Sequence, residues 1–242
     1  MNVRRTLLSK NMPIAVLAIF ALFTYTGVVA QDVVNSYKVG SDYREMLIFL
    51  SVFPAVGIFV QDWHTQFWRL VAVRMPIRKY ARKVFVWAWI TTLCTAMLGQ
   101  WLYIFYLRYK VPVLSDITYT QPWEFDFLGD ILLYKHPYWY LLAQTLCAAL
   151  VCGTLAVLAL LISVKIPDRL AAGFAPLILY YFFSFGLEIV KAPYWLRPDY
   201  QLIGYLTGAT GTDMLIMALH LAIPLLCLPM FTLAVERRCC DA

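Results

Sequence analysis

Apolar residues in this chain form long, nearly unbroken runs separated by short polar segments. That pattern belongs to helices set in hydrocarbon rather than to helices with one wet face. Six runs stand out, over residues 13–30, 46–60, 84–107, 138–162, 170–190 and 214–235. A helix that crosses a bilayer needs about 20 mostly apolar residues to cover roughly 30 Å of hydrocarbon. The second run is short and reaches that length through its polar flanks. The pattern predicts an all-α integral membrane protein: one domain over residues 1–242, six transmembrane helices and no soluble nucleotide-binding domain.

Composition agrees, with 62% of residues hydrophobic, 14% charged and a mean hydropathy of +0.69. A water-soluble globular domain does not have that balance. The first run follows Arg4, Arg5 and Lys10 and ends in Val28-Val29-Ala30, which imitates a secretory signal. It is longer than the usual signal core of about 7–15 residues, so the expectation is a retained helix.

Charge gives the orientation. With the N-terminus inside, the inner segments hold thirteen of the twenty Lys and Arg residues, whereas nine of the fourteen acidic residues lie outside. The positive-inside rule then places both termini in the cytoplasm. Of the six cysteines, Cys94, Cys147, Cys152 and Cys227 fall within runs and Cys239 and Cys240 at the inner end, so no external disulfide is expected. Between runs, residues 108–137 are rich in aromatic and acidic side chains, and a short surface helix is expected near 123–133. Leu202–Leu206 is apolar but short, which suggests a surface or re-entrant helix ended by the Gly208–Gly211 stretch.

The linker between the second and third runs, QDWHTQFWRLVAVRMPIRKYARKV, carries six basic residues within fifteen positions. Trp63, Phe67, Leu70 and Val71 fall on one helical face, with Asp62, Gln66 and Arg69 pointing elsewhere. Pro76 lacks a backbone N–H and interrupts, so the linker predicts an amphipathic helix over 61–73, a turn at Arg74-Met75-Pro76 and a restart at the third span. Arg74, Arg78 and Arg82 are spaced by four, and only the last two share a helix. Such a cluster attracts anionic lipid, at about 1 kcal/mol per basic residue. Its aromatic and arginine side chains are also the types that dominate protein interfaces.

Few polar residues interrupt the runs. Gln100, Gln144, Glu188 and His220 all fall in the outer half, where they are candidates for lining an outward cavity. The alternatives are interhelical hydrogen bonds for His220 and the glutamines and an ion pair of Glu188 with Lys191. Pro176, Pro224 and Pro229 predict bends in the last two spans. No Gly-Lys dipeptide occurs, which rules out a phosphate-binding loop. His64, His136 and His220 are scattered, with no H-E-x-x-H or C-x-x-C, so no metal site is expected.

Six spans with both ends inside, the basic linker, and the run Phe67-x6-Arg74-x5-Tyr80-x2-Lys83 together resemble the membrane subunits of bacterial ABC exporters of the type-2 permease class. In that class an acidic residue, an amphipathic helix and R-x-x-x-x-x-Y-x-x-K form a cytoplasmic coupling region. Here Asp62 stands where relatives commonly carry Glu, and Arg82 replaces a small residue. The resemblance implies a coupling helix over 61–75 that docks in a cytoplasmic ABC ATPase dimer, through Asp62, Trp63, Phe67, Arg69, Leu70, Arg74, Arg78, Tyr80, Arg82 and Lys83. It implies an interface helix at Asn2–Met12, a second permease subunit, identical or related, and ATP and Mg bound by the partner ATPase and not by this chain. Membrane lipid is a further expected partner and nucleic acid is not. The cargo expected of such apolar spans is a hydrophobic or amphipathic molecule such as a peptide, lipid or drug.

Two other classes fit the same chain. One is a membrane-embedded enzyme at the outer leaflet with Glu188 and His220 as acid and base, which requires both within reach of one proton. The other is a non-transporting immunity or scaffold protein.

Overall fold

The computed structural model describes residues 11–27, 29–39, 44–115, 126–129 and 136–240. Among these the chain is all-helical, with no strand. In order the helices are α1 (Asn11–Thr26), α2 (Val33–Val39), α3 (Arg44–His64), α4 (Phe67–Ala72), α5 (Ile77–Lys110), α6 (Pro137–Lys165), α7 (Arg169–Ile189), a 3-10 turn at Tyr194–Leu196, α8 (Pro198–Ile203) and α9 (Thr210–Cys240). Five of them, α3, α5, α6, α7 and α9, are long and apolar enough to cross a membrane. The first expected span is represented by α1, whose 16 described residues rise about 24 Å. The surface helix expected near 123–133 lies largely outside the described residues.

Local signals set the helix ends. Asp168 caps α7 by accepting from the backbone N–H groups of Leu170 and Ala171, both at 2.9 Å. Three residues, Ile166, Pro167 and Asp168, connect α6 to α7, so the two run antiparallel. Pro137 and Pro198 open α6 and α8, where their missing N–H has no helical partner to lose. Gly204 closes α8 in the left-handed region, at φ 75°. A Cβ there would sit 1.6 Å from Gln144 Oε1, so glycine is required on both counts. The expected stop at Gly208–Gly211 therefore falls earlier, and Thr210 and Gly211 already belong to α9. Pro54, Pro176, Pro224 and Pro229 all lie inside helices without ending them.

The bundle is organised around α6, which packs on α3, α5, α7, α8 and α9. Its middle reads CAALVCGTLA over residues 147–156, and every one of those side chains is buried. Small residues let helix axes approach closely, which matters most where no water is present to drive apolar surfaces together. On the far side, α1 packs on α3 and α5. Ile19 and Phe23 are buried there, and a Cβ on Gly99 of α5 would lie 2.5 Å from Ile19 Cγ2. A second, smaller apolar cluster joins Phe127 to Cys147, Leu150, Ile216 and Met217.

Gly99 thus sets the distance between α1 and α5. We expect Gly99→Ala to lower stability by about 1–3 kcal/mol through overpacking. Gly57→Ala, where an added Cβ meets nothing within 4 Å, should be neutral or stabilising by up to about 1 kcal/mol. Thermal unfolding of the purified protein in one detergent compares the two.

Candidate functional site

The linker departs from its expected form. The α3 helix continues to His64 instead of stopping near Val60, and Gln66 then adopts φ 53° and ψ 22°, which resets the helical phase before α4. One amphipathic helix over 61–73 is therefore replaced by the end of α3, a turn and the six-residue α4. The expected shared face of Trp63, Phe67, Leu70 and Val71 does not form. Val71 is buried, Trp63 and Phe67 are half-buried against the core, and Leu70 is 66% exposed. The outer surface of this segment consists of Arg69, Leu70, Ala72, Val73 and Arg74.

Asp62, expected to point away, is instead buried and accepts a hydrogen bond of 2.9 Å from the Tyr80 hydroxyl. That bond ties the last turn of α3 to the first turn of α5 across the linker. A bond to a carboxylate inside a protein is stronger than a neutral one, because little water competes for the charge. Trp63 and Trp68 stack with centroids 5.4 Å apart at 12°. The Arg238 guanidinium of α9 lies 4.4 Å from the Trp63 centroid, and that of Arg69 lies 5.4 Å from Trp68. Arg78 Nε donates to Glu236 Oε2 at 2.8 Å, an exposed pair contributing about 0.2–1 kcal/mol. Pro76 precedes α5 as expected, with Arg78 and Arg82 exposed on its first turns, Lys83 half-buried beside them and Arg74 exposed in the turn. The linker and the end of α9 thus form one basic, aromatic end of the bundle.

Gln100, Gln144, Glu188 and His220 each pair with different residues. Gln100 accepts from the Tyr37 hydroxyl at 2.6 Å and donates to the Ala96 carbonyl at 3.0 Å. Gln144 donates to the Phe127 carbonyl at 3.1 Å. Glu188, exposed, pairs with Arg197 at 3.3 Å and not with Lys191. Arg197 also pairs with Asp199 at 2.9 Å, and that hydrogen bond holds its guanidinium above the ordinary arginine value. His220 lines a cavity. Its Nε2 is 3.0 Å from Gln201 Oε1 and its Nδ1 is 3.0 Å from Thr154 Oγ1. Both ring nitrogens are engaged, and neither faces Glu188.

The sequence reading missed the acids and amides that organise this end. Asp32 accepts from the backbone of Asn35 at 2.7 Å and from the Ser115 hydroxyl at 2.6 Å, fastening α2 to the segment after α5. Asp126 is buried between Lys38 and the Tyr140 hydroxyl, the latter at 2.8 Å. Phe127 N–H donates to the Gly204 carbonyl at 2.8 Å, within an isolated antiparallel bridge between Asp126 and Tyr205. Asp32-x-x-Asn35 is a helix-capping spacing, a legible signal. The Asp126 cluster joins residues 88 positions apart in sequence and leaves no local trace. Among the described residues no group of three or more His, Cys, Asp or Glu could hold a metal ion.

Comparison with known protein families, with curated proteins and with solved structures finds no match.

The Asp62–Tyr80 bond has a measurable stability consequence. Tyr80→Phe should cost about 1.5–3 kcal/mol, because the bond it removes is to a charged group. Asp62→Asn, which still offers an acceptor, should cost less. Chemical unfolding of the detergent-purified variants measures both.

Proposed function

We propose that this chain is the membrane-spanning permease subunit of an ATP-driven exporter in the bacterial cell membrane. In this reading α1 and the five long helices make six spans with both termini inside, and α4 is the coupling element at the cytoplasmic end. A separate ABC ATPase dimer binds ATP and Mg, and a second permease subunit, identical or related, completes the path for a hydrophobic or amphipathic cargo such as a peptide. The observation that carries the reading is α4 itself: a short helix offering Leu70, Val73, Arg69 and Arg74 outward while its two neighbouring long helices are bolted together by Asp62 and Tyr80. A push on α4 would reach both α3 and α5, because a buried charge-assisted hydrogen bond resists separation. Basic residues around it also favour the cytoplasmic side and anionic headgroups.

The docking surface is therefore moved outward from the sequence-level assignment. Trp63 and Phe67 support α4 from within, and Leu70 and Val73 present apolar area to a partner. An acid–base role for Glu188 and His220 loses support, because each is already paired with a different residue.

Gentle-detergent purification from the native cell, with mass spectrometry of stoichiometric companions, should recover an ATPase carrying a phosphate-binding loop. Leu70→Glu together with Val73→Glu should reduce that recovery at least about tenfold, the scale of losing 1.4 kcal/mol of binding, while the protein remains membrane-inserted. A monodisperse chain with no ATPase would overturn the exporter reading and favour the immunity or scaffold class.

A further inference from the structure

Helices α7 and α9 both pack against α6, but they barely touch each other. The gap between them is a cavity of about 160 Å³, floored by Val151, Thr154 and Leu155 of α6 and roofed by Leu196, Pro198 and Gln201. Its side wall is incomplete: Phe183 of α7 is 36% exposed and Leu219 of α9 is 48% exposed. In a membrane this opening faces the acyl chains.

Three polar side chains converge on an otherwise apolar lining: Thr154, Gln201 and His220, each more than nine-tenths buried. Gln201 Nε2 donates to the Trp195 carbonyl at 2.9 Å, which turns Oε1 toward His220 and makes Nε2 of the ring the donor. In the uncharged ring, Nδ1 is then an acceptor 3.0 Å from the Thr154 hydroxyl, whose one hydrogen it shares with the Leu150 carbonyl, also at 3.0 Å. The Gln201 amide nitrogen carries two hydrogens, of which the Trp195 carbonyl takes one. A ligand oxygen entering the cavity can accept the other hydrogen. Among the described residues no charged side chain lines the cavity. At its rim Arg197 is already held by Glu188 and Asp199.

We infer that this cavity binds a neutral amphiphile entering sideways from the membrane, its hydroxyl or carbonyl oxygen accepting from Gln201 and its hydrocarbon lying between Phe183 and Leu219. The volume, close to that of cavities that admit a benzene ring (about 150 Å³), takes the head and first carbons, with the remaining chain outside among lipid. The inference stands on this chain alone and does not require the exporter reading.

The test uses the purified full chain in detergent, without any ATPase, and three photoactivatable probes of equal chain length: a C16 alcohol, the C16 carboxylate at pH 8 and a C16 alkane. Cross-linked peptides are mapped by mass spectrometry. The alcohol should label the α7 and α9 peptides bearing Phe183 and Leu219 at least about fivefold more than the alkane or the carboxylate does, the scale of one added hydrogen bond. Gln201→Leu should erase that preference. Leu219→Trp, which fills the side opening and removes no hydrogen bond, should abolish labelling there by every probe, and it keeps the test decisive if Gln201→Leu fails to fold. Equal labelling by alcohol and alkane, or labelling untouched by Leu219→Trp, overturns the inference. Failure here would leave the ATPase partnership standing, and loss of that partnership would leave this site standing.

Discussion

Close approach to α6 is the constraint on which the rest of the bundle depends. Helices in hydrocarbon gain little by burying leucine, because lipid is as apolar as their neighbours. They associate through dispersion contacts, which fall away steeply with a gap of an ångström. The Cys147–Ala156 stretch meets that requirement with small side chains, all of them buried. A Cβ on Gly153 would lie 2.8 Å from Trp89 Nε1, so even one added carbon there presses on α5. Five other helices lean on α6, and its surroundings fix where the polar groups at both ends can meet.

Those ends differ in chemistry. At one, Asp62, Tyr80, the Trp63–Trp68 stack and Arg238 join α3, α4, α5 and α9 with arginines facing outward. At the other, tyrosines and acids dominate: Tyr37 with Gln100, Tyr140 and Lys38 with Asp126, and Arg197 with Glu188 and Asp199. Each polar pairing there satisfies groups that would otherwise be stranded at the edge of an apolar bundle. The arrangement gives a bundle stiff at its rims with one seam, between α7 and α9, where helix contact is sparse. A mechanical input at the basic end and a ligand site at the seam would lie on elements that share α6.

Much of the helical fold was legible in the sequence because long apolar runs have one stable form in lipid. The runs beginning near 84, 138, 170 and 214 each appear as membrane-length helices. The second run, read as 46–60, extends to Arg44–His64. Its polar flank joins the helix as the length of a span requires, and there the buried Asp62 accepts a hydrogen bond from the distant Tyr80 hydroxyl. The face read through Trp63, Phe67, Leu70 and Val71 assumed unbroken helical phase, and the left-handed Gln66 breaks it. Gln100 and His220 were legible as interhelical hydrogen-bonding groups, whereas Gln144 bonds the Phe127 carbonyl, which lies outside the helices. The partners Tyr37, Phe127, Thr154 and Gln201 were hidden because each lies many residues away. Arg197 and not Lys191 pairs with Glu188: the helix ends at Ile189 and Lys191 stands at φ 53°, so the helical spacing that the expected pair assumed does not reach it.

In the proposed permease the basic end faces the cytoplasm and the tyrosine-rich end faces outward. Val73, at 88% exposed beside α4, and Tyr109, at 87% exposed near the opposite end of α5, report the two sides. Val73→Cys and Tyr109→Cys, each in a background with the native cysteines replaced, can be treated in whole cells with a membrane-impermeant maleimide. Labelling is expected at position 109 in intact cells and at position 73 only after permeabilisation. Labelling of position 73 from outside intact cells would contradict it, because no cytoplasmic ATPase could then reach α4.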